Sequence, residues 1–330
     1  MFKHTMRHVK VFTIGLAAAS LFLSCSQSMD ERDSTDTLSN SVQKASRITT
    51  VVPTDMSSWM SGLQDNISLS KISIPGTHDS GARIEIPSGS GTAKTQNLTI
   101  AEQLNAGVRF LDIRNRHYYD SFMIHHGPIY QELTFDDVLK ACYEFLDSHP
   151  TETIIMSVKE EYSSTNTTRS FEETFDYYVQ KNPTKWDLGN NIPKLGDIRG
   201  KIRLLRRFPA TTAKGIDATS WGDNTTFEIN NPEARLKVQD NYKVSDTSVK
   251  WNQILNVLNE TKDNGGDKLF INFTSGYKTW FFIPNIPAVS NQINLDLRSF
   301  FQNNTKGSYG IIPTDFIDQE LSSDIVKTNF

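Results

Sequence analysis

The stretch Ile72-Ser73-Ile74-Pro75-Gly76-Thr77-His78-Asp79-Ser80 reads as a strand broken by Pro-Gly that runs into a polar cluster. The pattern returns at Phe110-Leu111-Asp112-Ile113-Arg114, a strand ending in arginine. It returns again at Phe122-Met123-Ile124-His125-His126-Gly127, which ends in two histidines. Further β-rich runs cover residues 153–159, 202–207, 268–274 and 310–315, and helical patterns cover 100–105, 134–146, 249–260 and 293–301. Strands alternating with helices predict a mainly parallel α/β sheet. Seven or eight such strands favour a single barrel domain over a sandwich, which needs fewer helices.

At the N-terminus, Lys3, Arg7 and Lys10 precede an apolar run over residues 11–23, closed by Ser24-Cys25. That is a secretory signal, too short to span a membrane. Its ending, Leu21-Phe22-Leu23-Ser24-Cys25, resembles a bacterial lipobox, although Phe22 stands where an aliphatic residue is usual. The expected division is a signal peptide over 1–24, a flexible tether over 25–50 that begins at a lipidated Cys25, and a globular domain over 51–330. The expected location is the cell envelope, held by that lipid at an outer membrane or the cell surface.

The 330 residues carry a net charge of −4, which argues against a polybasic binder of nucleic acid or anionic membrane. Two cysteines exclude a disulfide scaffold and a cysteine zinc site. Cys142 sits at helical spacing with Phe135, Val138, Leu139, Phe145 and Leu146, behind a Thr134 N-cap, and is expected to be core.

In a parallel barrel, catalytic groups collect at the C-terminal strand ends. A neutral histidine there can take a proton from an attacking hydroxyl, and a protonated one can give a proton to a leaving alkoxide. Arginine offers a planar fork to a phosphate, and an acid beside each histidine fixes its tautomer and raises its pKa. His125 and His126 are adjacent on a strand and so face opposite ways. His117 and His149 sit in turn-like or helix-end contexts and are expected to be structural.

Residues 72–80 and 110–116 and the run His125-His126-Gly127-Pro128-Ile129-Tyr130 together resemble bacterial phosphatidylinositol-specific phospholipase C. Residues 150–159, 195–202, 238–243, 271–274 and Asp315 extend the likeness toward the C-terminus. The resemblance implies a distorted (βα)8, TIM-like barrel that cleaves phosphatidylinositol by attack of the inositol 2-hydroxyl. The products are diacylglycerol and inositol 1,2-cyclic phosphate. It implies His78 as general base oriented by Asp315, and His126 as general acid assisted by Asp79. Arg114 would clamp the phosphate and Asp112 would hold the cluster. Lys159, Arg207 and Asp240 would grip inositol hydroxyls, and Tyr242 would lie under the ring. Because Arg114 puts a fixed positive charge where metal-dependent relatives hold an ion, the resemblance implies no metal and no cofactor.

The implied partner is phosphatidylinositol or a glycosylphosphatidylinositol at a membrane surface, met by a monomer. Lipid contact in this family comes from a short helix and a rim loop with exposed aromatics. Here residues 87–97 are Gly-, Ser- and Thr-rich, and Trp280-Phe281-Phe282-Ile283-Pro284 is either that rim or core. Rival readings are a metal-dependent glycerophosphodiesterase, a non-catalytic inositol- or glycan-binding module, and a peptidase. The peptidase lacks any Gly-x-Ser-x-Gly or His-Glu-x-x-His motif.

Overall fold

Strand β1 (Ile74–Thr77) stands at the centre of a twelve-stranded sheet in this computed structural model, which describes residues 54–264 and 266–330. The expected signal, tether and Cys25 lie outside the described residues. The remaining strands are β2 (Phe110–Tyr118), β3 (Ser121–His126), β4 (Ile129–Thr134), β5 (Ile154–Thr165), β6 (Trp186–Asp187), β7 (Ile202–Arg206) and β8 (Ile216–Asp217). They continue with β9 (Thr226–Asn230), β10 (Arg235–Gln239), β11 (Lys268–Asn272), β12 (Lys278–Trp280), β13 (Ile283–Asn285) and β14 (Ile311–Thr314). Parallel ladders run β7–β5–β2–β1–β14–β11–β10, with β6 and β8 sharing the outer edge of β7 and β9 antiparallel on β10. Among the described residues no ladder joins β8 to β9. Instead the Asn231 amide donates to the Asp217 carbonyl at 2.7 Å across that seam, so the barrel is distorted.

Pro75-Gly76 does not break β1. Pro75 is paired with Ile312 of β14, but its nitrogen faces β2, where registered pairing begins only one residue later, at Gly76–Phe110, so the missing N–H costs no ladder bond. At Gly76 the backbone passes close to Phe110, where a Cβ would lie 3.0 Å away, tighter than ordinary contact. Alternation along the strands sends Ile74, Phe110, Ile155, Leu205, Val238, Ile271 and Ile311 into one core cluster. Leu111, Ile113, Met156, Val158 and Leu204 pack in the other, against the helices.

The helices are α1 (Ile100–Asn105), α2 (Phe135–Ser148), α3 (Phe171–Lys181), α4 (Leu195–Ile198), α5 (Thr247–Asn264), α6 (Pro287–Asn303) and α7 (Gln319–Lys327). In α2 the expected Thr134 cap is one half of a reciprocal box with Asp137, and Cys142 is buried on the apolar stripe. Losing that cap would cost roughly 0.5–2 kcal/mol. Burial pushes the Cys142 thiol far up, which excludes an activated nucleophile. The sequence patterns named above leave out α3, α7 and the β9–β10 hairpin. Yet Ser170 and Glu173 form a capping box at the start of α3, and Phe227, Ile229, Leu236 and Val238 alternate through the hairpin.

Candidate active site

Six side chains gather at one end of the parallel barrel, at or above the level where β1 ends, because β2 and β5 run on past that level. These are His78 after β1, Asp112 and Arg114 on β2, Lys159 on β5, Arg207 after β7 and Asp240 after β10. Asp315 follows β14. Because Thr77 is in register with Thr314, the next residues, His78 and Asp315, fall side by side. The His78 Nδ1 lies 2.7 Å from the Asp315 Oδ1. A buried carboxylate there holds the imidazole proton on Nδ1 and leaves Nε2 as the basic nitrogen. The second Asp315 oxygen accepts the Gly276 N–H at 3.3 Å.

Alternation on β2 turns Asp112 and Arg114 to the barrel interior together. Arg114 Nε donates to Asp112 at 2.9 Å, Ser157 donates to it at 3.1 Å, and Arg207 reaches it at 3.3 Å. Burial pushes the Asp112 carboxyl up. Arg114 and Arg207, with His78 and Lys159, nevertheless pull it below the ordinary carboxylate range. Asp112 is therefore a fixed anion that aims two guanidinium groups.

His126 ends β3, which folds back on β2 as an antiparallel hairpin. Its Nδ1 donates to the Ala93 carbonyl at 2.5 Å, and Asp79 stands farther off, at 3.9 Å. The expectation that an acid sets the tautomer and raises the pKa is corrected here. The tautomer is set by a backbone carbonyl. Burial lowers the His126 pKa more than the Ala93 bond raises it, and Arg114 lowers it further. Asp79 is fully buried, and among the described residues neither of its carboxylate oxygens has a hydrogen-bond partner. Burial raises its pKa well above the usual range, against the pull of Arg114. That environment favours the protonated acid at Asp79, beside His126. His125 turns away, buried with its ring stacked parallel to Tyr162. His117 bonds Thr174 at 2.9 Å, and His149 lies 3.0 Å from the Phe145 carbonyl.

His78, Arg114 and His126 line one cleft of about 510 Å³ together with Lys159, Arg207, Asp240 and Tyr242. Asp79, Asp112 and Asp315 are buried and fully or almost fully hidden from solvent. The cleft also brings in residues to which the sequence assigns no role. Glu161 pairs with Lys159 at 2.8 Å and reaches Arg114 at 3.6 Å. Burial pushes it up, but Arg114 and Lys159 hold it at about 2. Trp221 carries the Arg207 guanidinium 3.7 Å above its ring and donates to Asp240 at 2.9 Å. The Tyr242 hydroxyl donates to Asp223 at 2.5 Å, which fixes the ring. Glu161 was legible only as the alternate acid after Lys159, and Trp221 only as an aromatic in an irregular run.

Hairpin β12–β13 overhangs the cleft, and Pro284 and Ile286 line it. Its tip is exposed: Trp280 is 70%, Phe281 82% and Phe282 97% accessible. Of the two readings of this cluster, core is thereby excluded for these three rings. Among the described residues no helix is long and apolar enough to cross a membrane.

The model of the family described as "Phosphatidylinositol-specific phospholipase C, X domain" matches residues 84–208. The chain is 35% identical over 292 residues to a 1-phosphatidylinositol phosphodiesterase of Staphylococcus aureus, covering 82% of this chain and 93% of the relative. It is 30% identical over 286 residues to the 1-phosphatidylinositol phosphodiesterase of Listeria monocytogenes, covering 82% and 84%. The fold superposes on a pentafluoro-Phe-containing phosphatidylinositol-specific phospholipase C from S. aureus with a TM-score of 0.76, at 33% identity, covering 84% of this chain and 98% of that one. For the L. monocytogenes phosphatidylinositol-specific phospholipase C the TM-score is 0.70, at 28% identity, covering 84% and 99%. On these matches, which cover more than four fifths of its length, the chain belongs to the bacterial phosphatidylinositol-specific phospholipase C family.

Proposed function

We propose that this phosphatidylinositol-specific phospholipase C cuts its lipid in a single acid–base step between His78 and His126. The observation that carries the reading is that both imidazoles open into one cleft with the Arg114 guanidinium. His78 Nε2 removes the proton of the inositol 2-hydroxyl, and that oxygen attacks phosphorus. Arg114, aimed by Asp112, binds the phosphate oxygens as charge builds on them. The bond from phosphorus to the diacylglycerol oxygen breaks, and His126 with Asp79 delivers the proton that oxygen needs. Imidazolium at 126 lowers the Asp79 carboxyl, and carboxylate at 79 raises the imidazole. The substrate's negative phosphate, entering beside His126, favours the imidazolium there. Lys159, Arg207 and Asp240 supply donors and acceptors for the inositol hydroxyls, and Tyr242 offers an aromatic face to the ring.

Arg114 occupies the phosphate side of the cleft with a permanent charge, which supports a reaction that uses no metal. The exposed Trp280, Phe281 and Phe282 beside the cleft mouth support contact with the lipid surface that holds the substrate, free or glycosylated phosphatidylinositol. Lipidation of Cys25, with an envelope location for a monomer, completes the proposal. Mass spectrometry of the mature N-terminus tests the lipid.

Phosphorus NMR of phosphatidylinositol micelles tests the reaction. Inositol 1,2-cyclic phosphate should appear first, at the same rate in excess EDTA. Loss of activity in EDTA that calcium restores, or direct release of inositol 1-phosphate, would contradict it.

A further inference from the structure

The catalytic strand ends are tied down by a short segment that lies outside every sheet, residues 93–96. Ala93 accepts the His126 Nδ1 proton through its carbonyl. Thr95 donates its hydroxyl to the Asp79 carbonyl at 2.9 Å. Gln96 makes the contact of most consequence. Its Nε2 donates at once to the His78 carbonyl, at 2.9 Å, and to the Thr314 carbonyl, at 2.8 Å. Thr314 immediately precedes Asp315, so one amide group bridges the backbone of the base and the backbone next to its acidic partner. The ladder between β1 and β14 reaches its last registered pair at Thr77–Thr314. Beyond it the two chains stay together through the His78 N–H to the Thr314 carbonyl at 3.2 Å, the side-chain bond, and this amide. Gln96 is fully buried, and among the described residues its Oε1 accepts no hydrogen bond. Two facing carbonyls can be met only by the NH2 end, which fixes the amide's orientation. A side chain buried at the cost of an unmet acceptor, solely to present two donors to these carbonyls, is placed for those donors.

We propose that Gln96 is a positioning residue of the catalytic base, clamping the ends of β1 and β14 so that His78 and Asp315 keep their 2.7 Å bond. It touches no substrate and acts only through His78. Without it the His78–Asp315 bond loosens, and the imidazole samples angles in which Nε2 misses the attacking hydroxyl. The effect belongs in kcat, since the inositol wall formed by Lys159, Arg207, Asp240 and Tyr242 lies on other strands.

Two variants test this, and the test rests on His78 being the base. Gln96→Leu keeps the bulk and removes both donors. It should lower kcat on phosphatidylinositol ten- to a hundredfold with KM changed less than threefold. The low-field proton NMR signal of the His78 Nδ1–H, assigned by its loss in His78→Ala, should broaden or move upfield. Gln96→Glu is nearly isosteric and, when protonated, keeps one donor where Leu keeps none. Its carboxyl can donate to a carbonyl only while protonated, so its kcat relative to the parent enzyme should climb as pH falls. A parent-like kcat in both variants, or a fall in kcat with the Nδ1 signal unmoved and no relative gain at acid pH, would overturn the clamp. Retained activity in His78→Ala would instead remove the base assignment and leave the NMR result to judge the clamp alone.

Discussion

Arg114 is where several forces meet. Its Nε is spent on Asp112, one Nη group faces Glu161, and the rest of the fork turns toward the cleft. A lysine at this place would keep the charge and lose the planar fork. Arg114→Lys should therefore lower kcat/KM by two to three orders of magnitude, about 3–4 kcal/mol of transition-state stabilisation. Less than a tenfold loss in steady-state kinetics would show that charge alone suffices. The acid side follows a different logic. His126 is depressed by burial and Asp79 raised by it, so burial disfavours the charged form of each. An acidic residue next to histidine in the chain reads as a charged partner. In the fold it is a buried neighbour whose carboxylate oxygens accept no hydrogen bond among the described residues, which favours its neutral form.

At the scale of elements, the hairpin β12–β13 separates binding to lipid from binding to inositol. Its tip positions Phe281 and Phe282 both take left-handed backbone angles, φ 46° and 66°, a conformation that β-turns allow but large rings rarely adopt. Burying each ring in lipid would contribute about 1.5–3 kcal/mol. Replacing both with serine should weaken sedimentation with phosphatidylinositol vesicles at least tenfold while leaving turnover of a monomeric, water-soluble inositol cyclic phosphate unchanged. Equal losses on both substrates would place the rings in the catalytic machinery. Helix α5 offers a second test. Its Lys250 is buried and donates to Gln239 Oε1, the Asn241 carbonyl and the Phe273 carbonyl, at 3.0, 2.9 and 2.7 Å. Burial pushes its pKa down to about 7, against the pull of Asp240 and Asp315. Above that value the unfolded chain holds a proton the folded chain has released. Stability should thus rise with pH from about 7 toward the ordinary lysine value near 10.4, the penalty being fully present below 7. Urea titrations across that window should show the slope in the parent and lose it in Lys250→Met; an identical slope in both would contradict it.

For the whole molecule, the sequence marks the barrel well because strands buried on both faces leave compact apolar runs, such as residues 154–156 and 269–271. Most of the reactive groups are also legible, since a parallel barrel sends polar residues to one end of each strand. Pro75-Gly76 misleads as a strand break because the pairing that tolerates it, to β14 on one side and late to β2 on the other, is a property of neighbours far along the chain. Ala93 and Gln96 are illegible for the same reason. A backbone carbonyl that sets a tautomer, and an amide that spans two strand ends, leave no pattern in a Gly-, Ser- and Thr-rich run. Glu161 enters the cleft beside a register shift in the β2–β5 ladder, where Asn115 pairs with Glu160 and Arg116 with Tyr162.

The barrel's chemical purpose in this account is to give two similar imidazoles opposite tasks. The most direct test uses an inositol phosphodiester whose leaving group is a nitrophenol, far more acidic than an alcohol and so in little need of a proton. Single-turnover rates of His78→Ala and His126→Ala should both be nearly abolished on phosphatidylinositol. On the nitrophenyl substrate His126→Ala should recover most of the parent rate, and His78→Ala should stay inactive because the 2-hydroxyl still needs its base. Equal recovery of the two variants, or recovery of His78→Ala alone, would contradict the assignment of base to His78 and acid to His126.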